Sequence, residues 1–271
     1  MKRALVAVAV SVGLLSCGVS AGESDSTPPK EESGLFISPS YSWFDLNVNY
    51  LDWSGGTVRR TSHTKKDFPY VEFEGGIGWE WGELYFFTDL ENPGEGFDSS
   101  KAPDDSRWVI KPILDIRIPG LPESIDGLEI HIQDYYLYSD SFIVNNLVVG
   151  LAYKFSGENY LFKPFVGLHY MHDSFNSTCH DGYMGGWVAN YDFSIMDNRF
   201  SLSNWHEFEW DRKDGTYEGG DGEDWGVNGA MALWWHMNDS VTAGLQYRYA
   251  YHKLGSESYQ NGVIYTLKYN F

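Results

Sequence analysis

The residues equipped for chemistry are carboxylates interleaved with aromatic rings: Asp45, Glu72, Glu74, Asp89 and Glu91, with Tyr85 and Phe87 among them. Further along come Lys111, Asp115 and Arg117, then Trp205, Glu207, Glu209 and Arg248. Ring faces stack planar bases, and carboxylates accept hydrogen bonds from hydroxyls. Together they suit a solute with a flat heterocycle and a sugar. Covalent chemistry is poorly served. Glu207 and Glu209 imitate a glycosidase pair, but charge on a water-facing wall explains them without a reaction. No G-x-S-x-G elbow occurs. His169 and His172 are an odd number of residues apart, which on a strand sets them on opposite faces and prevents joint metal binding. Cys179 and His180 read as loop. The run Gly219 to Asp224 matches one calcium-binding β-roll repeat, which needs stacked neighbours, so it reads as a flexible acidic loop. No catalytic residue, metal or cofactor is expected.

The elements that must position these side chains are strands. From Tyr41 to Phe271 apolar and polar residues alternate in segments of roughly ten, the pattern of a transmembrane antiparallel β-barrel. About twelve strands are expected, near residues 41–53, 69–78, 83–91, 107–118, 128–138, 143–155, 161–172, 184–195, 199–210, 226–237, 241–253 and 262–271. In the last, Val263, Tyr265, Leu267, Tyr269 and Phe271 share one face. Tyr269 and Phe271 are read as the signal recognised by the barrel-assembly machinery. Asp45, Asn47 and Asn49 alternate with Phe44, Leu46, Val48 and Tyr50, so the first set lines a wet lumen and the second meets lipid. A secreted β-sandwich would need both inner faces apolar, which these strands do not offer. Two places break the alternation: Asn204 and His206 fall on the lipid face of 199–210 unless a β-bulge re-aims that strand, and Asp134 shares a face with Ile130 and Ile132.

Composition agrees. Aromatics make up 17% of 271 residues, yet mean hydropathy is −0.37. Beyond the N-terminus no apolar run approaches the roughly 18 residues of a spanning helix. A formal charge of −19 argues against nucleic acid as a partner. Lys2, Arg3 and the apolar stretch Ala4 to Leu15 form a signal peptide over residues 1–21. Val19-Ser20-Ala21 suits ordinary cleavage, whereas Leu14 to Cys17 resembles a lipobox that would leave Cys17 lipidated; both readings stand. Residues 22–38 read as a disordered periplasmic linker and 39–271 as the barrel. Cys17 and Cys179 make no disulfide framework.

The stretch YVEFEGGIGWEWGELYFFTDLEN, from Tyr70 to Asn92, resembles the early strands of the Tsx-type nucleoside-specific channel family, and more closely its OmpK-like branch. FSLSNWHEFEWDRKDG from Phe200 to Gly215 and GVNGAMALWWHM from Gly226 to Met237 are similar to it as well. The resemblance implies a twelve-stranded monomeric barrel in the outer membrane of a Gram-negative bacterium, among outer-membrane lipid and lipopolysaccharide, taking up nucleosides or similar small solutes. It also implies an alternative, since some family members serve as receptors for phage or colicin. That alternative is a receptor or structural barrel without specific transport.

Overall fold

The computed structural model describes residues 38–98, 100, 104–174, 179–213 and 221–271. The expected signal peptide, Cys17, nearly all of the linker and the glycine-rich part of the acidic loop lie outside the described residues. The long strands are β1 (Tyr41–Trp53), β2 (Phe68–Trp79), β3 (Gly82–Glu91), β4 (Arg107–Arg117), β5 (Leu128–Tyr138) and β6 (Ile143–Tyr153). They continue as β8 (Tyr160–Asp173), β9 (Cys179–Ile195), β10 (Asn198–Trp210), β11 (Gly226–His236), β12 (Val241–Tyr251) and β13 (Gln260–Asn270). The two-residue β7 (Phe155–Ser156) only edges β8. All pairs are antiparallel. β1 pairs with β13 and β6 with β8, so the sheet closes as a twelve-stranded barrel with no free edge among its long strands.

Closure follows from the alternation. On β1, Asp45, Asn47 and Asn49 are buried inside, whereas Leu46, Val48 and Tyr50 stand out on the surface. Through the register Asp45↔Glu74, Asn47↔Glu72 and Asn49↔Tyr70 the inner face passes to β2. Glu72↔Asp89 and Glu74↔Phe87 carry it on to β3. Val263, Tyr265, Leu267, Tyr269 and Phe271 face outward, opposite the lumen-facing Lys268 and Thr266.

The connections alternate between tight and long. Met196 and Asp197 (φ 48° and 64°) turn β9 into β10 with both residues left-handed, the twist that suits a two-residue hairpin. Long connections gather at the other, external end. There Ser54 caps the short helix α1 (Gly55–Arg60), accepting from Thr57 N at 3.1 Å. An apolar cluster of Leu51, Trp53, Tyr70 and Ile264, covered by Val58, Phe68 and Leu254, fills the barrel mouth beneath it.

Strand bounds differ from the sequence reading chiefly at β9. It begins at Cys179, so Cys179 and His180 belong to a strand and not to a loop. The β8–β9 pairing also shifts by one residue between Leu168 and Tyr170. Residues 199–210 carry no bulge: β10 runs in unbroken register with both β9 and β11.

Candidate functional site: the barrel lumen

The inner wall sorts into three levels. Near the tight-turn end, Glu83 takes the ammonium groups of Lys154 and Lys163. Lys163 also lies 2.7 Å from Asp115 and 3.6 Å from Glu129, while His131 Nδ1 is 2.7 Å from Asp115 Oδ1. β3 and β8 have β4, β5 and β6 between them, so the Lys163–Glu83 contact reaches over a quarter of the barrel or more. Glu83, Asp115 and Glu129 are near enough to share a cation, but the Lys163 ammonium takes that role here. Tyr41 and Trp43 lie flat against the wall because β2 opposes them with glycine. A Cβ on Gly78 would stand 2.0 Å from the Tyr41 ring and one on Gly76 2.4 Å from Trp43 Nε1.

At mid-height β1, β2, β3 and β13 form an acidic wall. Lys268 bridges Glu74 and Asp45, the latter at 3.0 Å. Asn47 donates to Glu72 at 2.5 Å, and the Tyr85 hydroxyl donates to Glu74 at 2.8 Å. Asp45 Oδ1, Asn47 Oδ1 and Asp89 Oδ1 are buried and accept no hydrogen bond from the described residues. Opposite stands Trp205, with the Arg248 guanidinium 4.9 Å and the Lys111 ammonium 5.7 Å from its ring centroid. Arg248 is held by Gly229 O (2.9 Å) and Tyr249 O (2.7 Å). Lys111 crosses from β4 to pair with Glu207 on β10, which also accepts from Gln133 at 2.9 Å. Between those strands lie β5, β6, β8 and β9 on one side and six strands on the other. The pair therefore spans the lumen and divides its cross-section.

Toward the external end Glu91 pairs with Arg107 at 2.6 Å. Glu209 lies between Lys253 (2.8 Å) and Arg212 (3.2 Å). Arg212 also reaches Asp221 at 3.1 Å and the carbonyls of Glu223, Trp225 and His252. One guanidinium thus fastens two external connections to the inner wall. His169, wholly buried, is 3.1 Å from Asn146.

The outer face resolves both sequence anomalies without a bulge. Asn204 and His206 do face outward, but Asn204 accepts from Trp187 Nε1 at 2.6 Å and donates to Ala230 O at 2.8 Å. His206 meets the Tyr249 hydroxyl at 2.9 Å and stacks on Trp187 at 4.4 Å. Asp134 likewise stays outside and accepts from Asn145 at 2.5 Å.

The structure gathers Asp45, Glu72, Glu74, Tyr85, Phe87, Asp89, Glu91 and Lys111 on one stretch of wall, with Trp205, Glu207 and Arg248 facing them. Asp115 sits at the tight-turn level and Glu209 at the external level. Arg117 corrects the sequence reading: it is exposed at the rim, 3.3 Å from Glu80 O, because β4 ends at that residue. Lumen residues the sequence did not single out include Tyr41, Trp43, His131, Gln133 and Arg212. The two glycines opposite Tyr41 and Trp43 were the available signal for those rings. Nothing in the alternation alone marks Gln133 or Arg212.

A closed barrel with an apolar, ring-studded exterior and an interior of crossed charges belongs to the class of outer-membrane channels. Residues 48–271 match the family described as nucleoside-specific channel-forming protein, Tsx. The chain belongs to that family, the nucleoside channels of the Gram-negative outer membrane. Among solved structures it is similar to the NanC porin, at 13% identity and TM-score 0.49, over 83% of this chain and 100% of that one. Outer membrane phospholipase of Salmonella typhi, a dimer with bound calcium, shows 12% identity and TM-score 0.38 over 88% and 94% of the two chains. The outer membrane protease OmpT of Escherichia coli shows 11% identity and TM-score 0.22 over 88% and 99%.

Proposed function

We propose that nucleosides cross this barrel along the acidic wall of β1, β2 and β3, with the base against Tyr85 and Phe87 and ribose hydroxyls donating to the wall. The observation that carries this reading is the wall itself, where Tyr85 and Phe87 stand beside Glu72, Glu74 and Asp89 through the β2–β3 register. Stacking of about 1–3 kcal/mol per base is strong enough to select a solute and weak enough to release it. The Lys111–Glu207 bridge sets the free cross-section, and its long side chains are the parts that yield as a solute passes. Glu207 and Glu209, the pair that could imitate a hydrolase, are engaged by Lys111, Lys253 and Arg212, which favours conduction over catalysis.

Around mid-height the carboxylates Asp45, Glu72, Glu74, Asp89 and Glu207 face the cations Lys111, Arg248 and Lys268, an acidic excess. A phosphate entering a pore narrower than the Debye length of about 8 Å feels that excess with little screening. Nucleosides are expected to pass and nucleotides to be held back. The test is uptake of radiolabelled adenosine and its monophosphate into proteoliposomes. Glu72→Gln narrows the difference between the two, while Tyr85→Ala with Phe87→Ala slows adenosine and leaves the discrimination intact. Equal entry of both by the unaltered protein, or competition by a size-matched sugar as strong as by a nucleoside, sinks the site and leaves a general pore. Single-channel conductance separates this reading from a receptor barrel closed by its loops, and Lys111→Ser with Glu207→Ser is expected to raise it.

A further inference from the structure

In a chain of net charge −19, the external connection between β1 and β2 concentrates cations: Arg59, Arg60, His63, Lys65 and Lys66 stand within eight positions. Arg59, Arg60, His63 and Lys66 are exposed. Lys66 pairs with Asp104 at 2.5 Å, an open surface contact with both side chains about half exposed. Asp67 accepts from Trp53 N at 2.7 Å. Val58, His63, Lys65, Lys66 and Asp67 line a cleft of about 280 Å³.

The position of this basic patch is fixed by rings. Arg60 Nε donates to Tyr259 O at 2.8 Å, and its guanidinium lies 5.8 Å from the Tyr259 ring centroid. The Tyr259 hydroxyl is 2.8 Å from that of Tyr247, an outward residue of β12. Tyr50, Tyr247, Tyr251 and Tyr259 are exposed around the outside of this end, an aromatic girdle of the kind that marks the membrane interface. Burial and the bond with Tyr247 push the Tyr259 hydroxyl up to about 12, so it remains neutral and does not cancel the Arg60 charge. Arg60 therefore stands just above the girdle, at the height of lipid headgroups, with Arg59, His63 and Lys66 exposed on the same connection, whereas Lys65 turns over Trp53 at the barrel mouth.

We propose that Arg59, Arg60, His63 and Lys66 form a docking site for a phosphorylated lipid headgroup of the outer leaflet. Guanidinium and ammonium groups give charge-assisted bonds to phosphate oxygens, and the girdle beside them receives the acyl chains. A free phosphate shares the headgroup chemistry but lacks the chains, so the lipid is the occupant the arrangement fits.

The test uses the folded barrel in detergent, titrated with bisphosphorylated lipid A or its dephosphorylated form and read by native mass spectrometry. Arg60 and Lys65 hold backbone carbonyls and are left intact; Arg59→Gln with Lys66→Gln is the working variant. Each cation near a lipid surface is worth roughly a fivefold change in affinity, so the variant is expected to bind the phosphorylated lipid about twentyfold more weakly. Arg199→Gln, at the tight-turn rim, is expected to change nothing. Heat-modifiable migration and adenosine flux check that the variant is folded, and Arg59→Gln alone gives the same direction should the pair fail that check. Equal affinity of variant and unaltered protein overturns the site. So does equal affinity for both lipids. Displacement of the lipid by excess inorganic phosphate also overturns it, since it would show a site for free anions.

Discussion

The two faces of β10 solve the same problem in opposite ways. Outward, Asn204 and His206 are satisfied by near neighbours: Trp187 on β9, Ala230 O on β11 and the Tyr249 hydroxyl on β12. Inward, Glu207 takes Lys111 from β4 across the lumen, and Glu209 takes Lys253 from beyond the end of β12 and Arg212 from just past its own strand. Lipid offers no partner, so an outer polar group must be closed off within a patch of adjacent strands. An inner one can reach over the lumen. Polar residues on the outside therefore form local networks, whereas those on the inside add to their local pairs a few bridges that tie distant strands together.

Four substitutions test that contrast. The largest effect is expected inside, for Arg212→Ala. It strips Asp221 and Glu209 of a guanidinium and releases three carbonyls at a buried point, which costs about 3–5 kcal/mol. Urea unfolding in lipid vesicles, followed by tryptophan fluorescence, measures it, and a loss below that of any outer-face variant contradicts the comparison. Asn204→Ala comes next. It leaves the Trp187 N–H and Ala230 O unpaired toward lipid, at about 1–3 kcal/mol by the same measurement. His206→Phe is milder, because the phenyl ring keeps the stack on Trp187 and only the Tyr249 bond is lost, about 0.5–1.5 kcal/mol. If it proves costlier than Asn204→Ala, the network is not organised around the amide. Phe271→Lys should scarcely alter equilibrium stability, by about 0–1 kcal/mol near the interface. It should nevertheless lower the amount of folded protein in the outer membrane, assayed by heat-modifiable migration of membrane fractions. Unchanged levels would remove Phe271 from the assembly signal.

Most of the fold was legible because a period of two is a direct image of a two-sided wall. Asp45, Asn47 and Asn49 against Leu46, Val48 and Tyr50 fixed the facing of β1, and pairing carried it round. The lumen-facing aspect of Trp205, Glu207 and Glu209 was readable in the same way. Whether a bulge spared Asn204 and His206 from lipid was left open, because alternation tells which side a residue faces but not which neighbours satisfy it there. Trp187 on β9 and Tyr249 on β12 do so. The same limit hid the Lys111–Glu207 bridge and the role of Arg212, which depend on which strands lie opposite after closure. Arg117 keeps the lumen-side register opposite Glu129, but as the last residue of β4 its guanidinium reaches out to Glu80 O at the rim, which alternation does not show. The β8–β9 register shift left no mark in composition, and neither did the pairing of Cys179 and His180 with Met171 and Tyr170 that puts them in a strand.

The cap of helix α1 bears on how the barrel comes to be finished. Ser54 and Thr57 are hydrogen-bonded to Asn261 across sequence separations of 207 and 204 residues, and Ser54 N donates to Asn261 O at 2.9 Å. These contacts sit on the β1–β13 seam, joining the two long strands farthest apart along the chain. Bringing such distant segments together carries the greatest loop-closure entropy of any strand pair. The clasp forms only when the last strand has reached the first. Before that moment the first connection has no anchor for its helix cap, and afterwards it is pinned to the strand that completes the circle. The order of α1 thus records, on the cell surface, that the final seam has zipped.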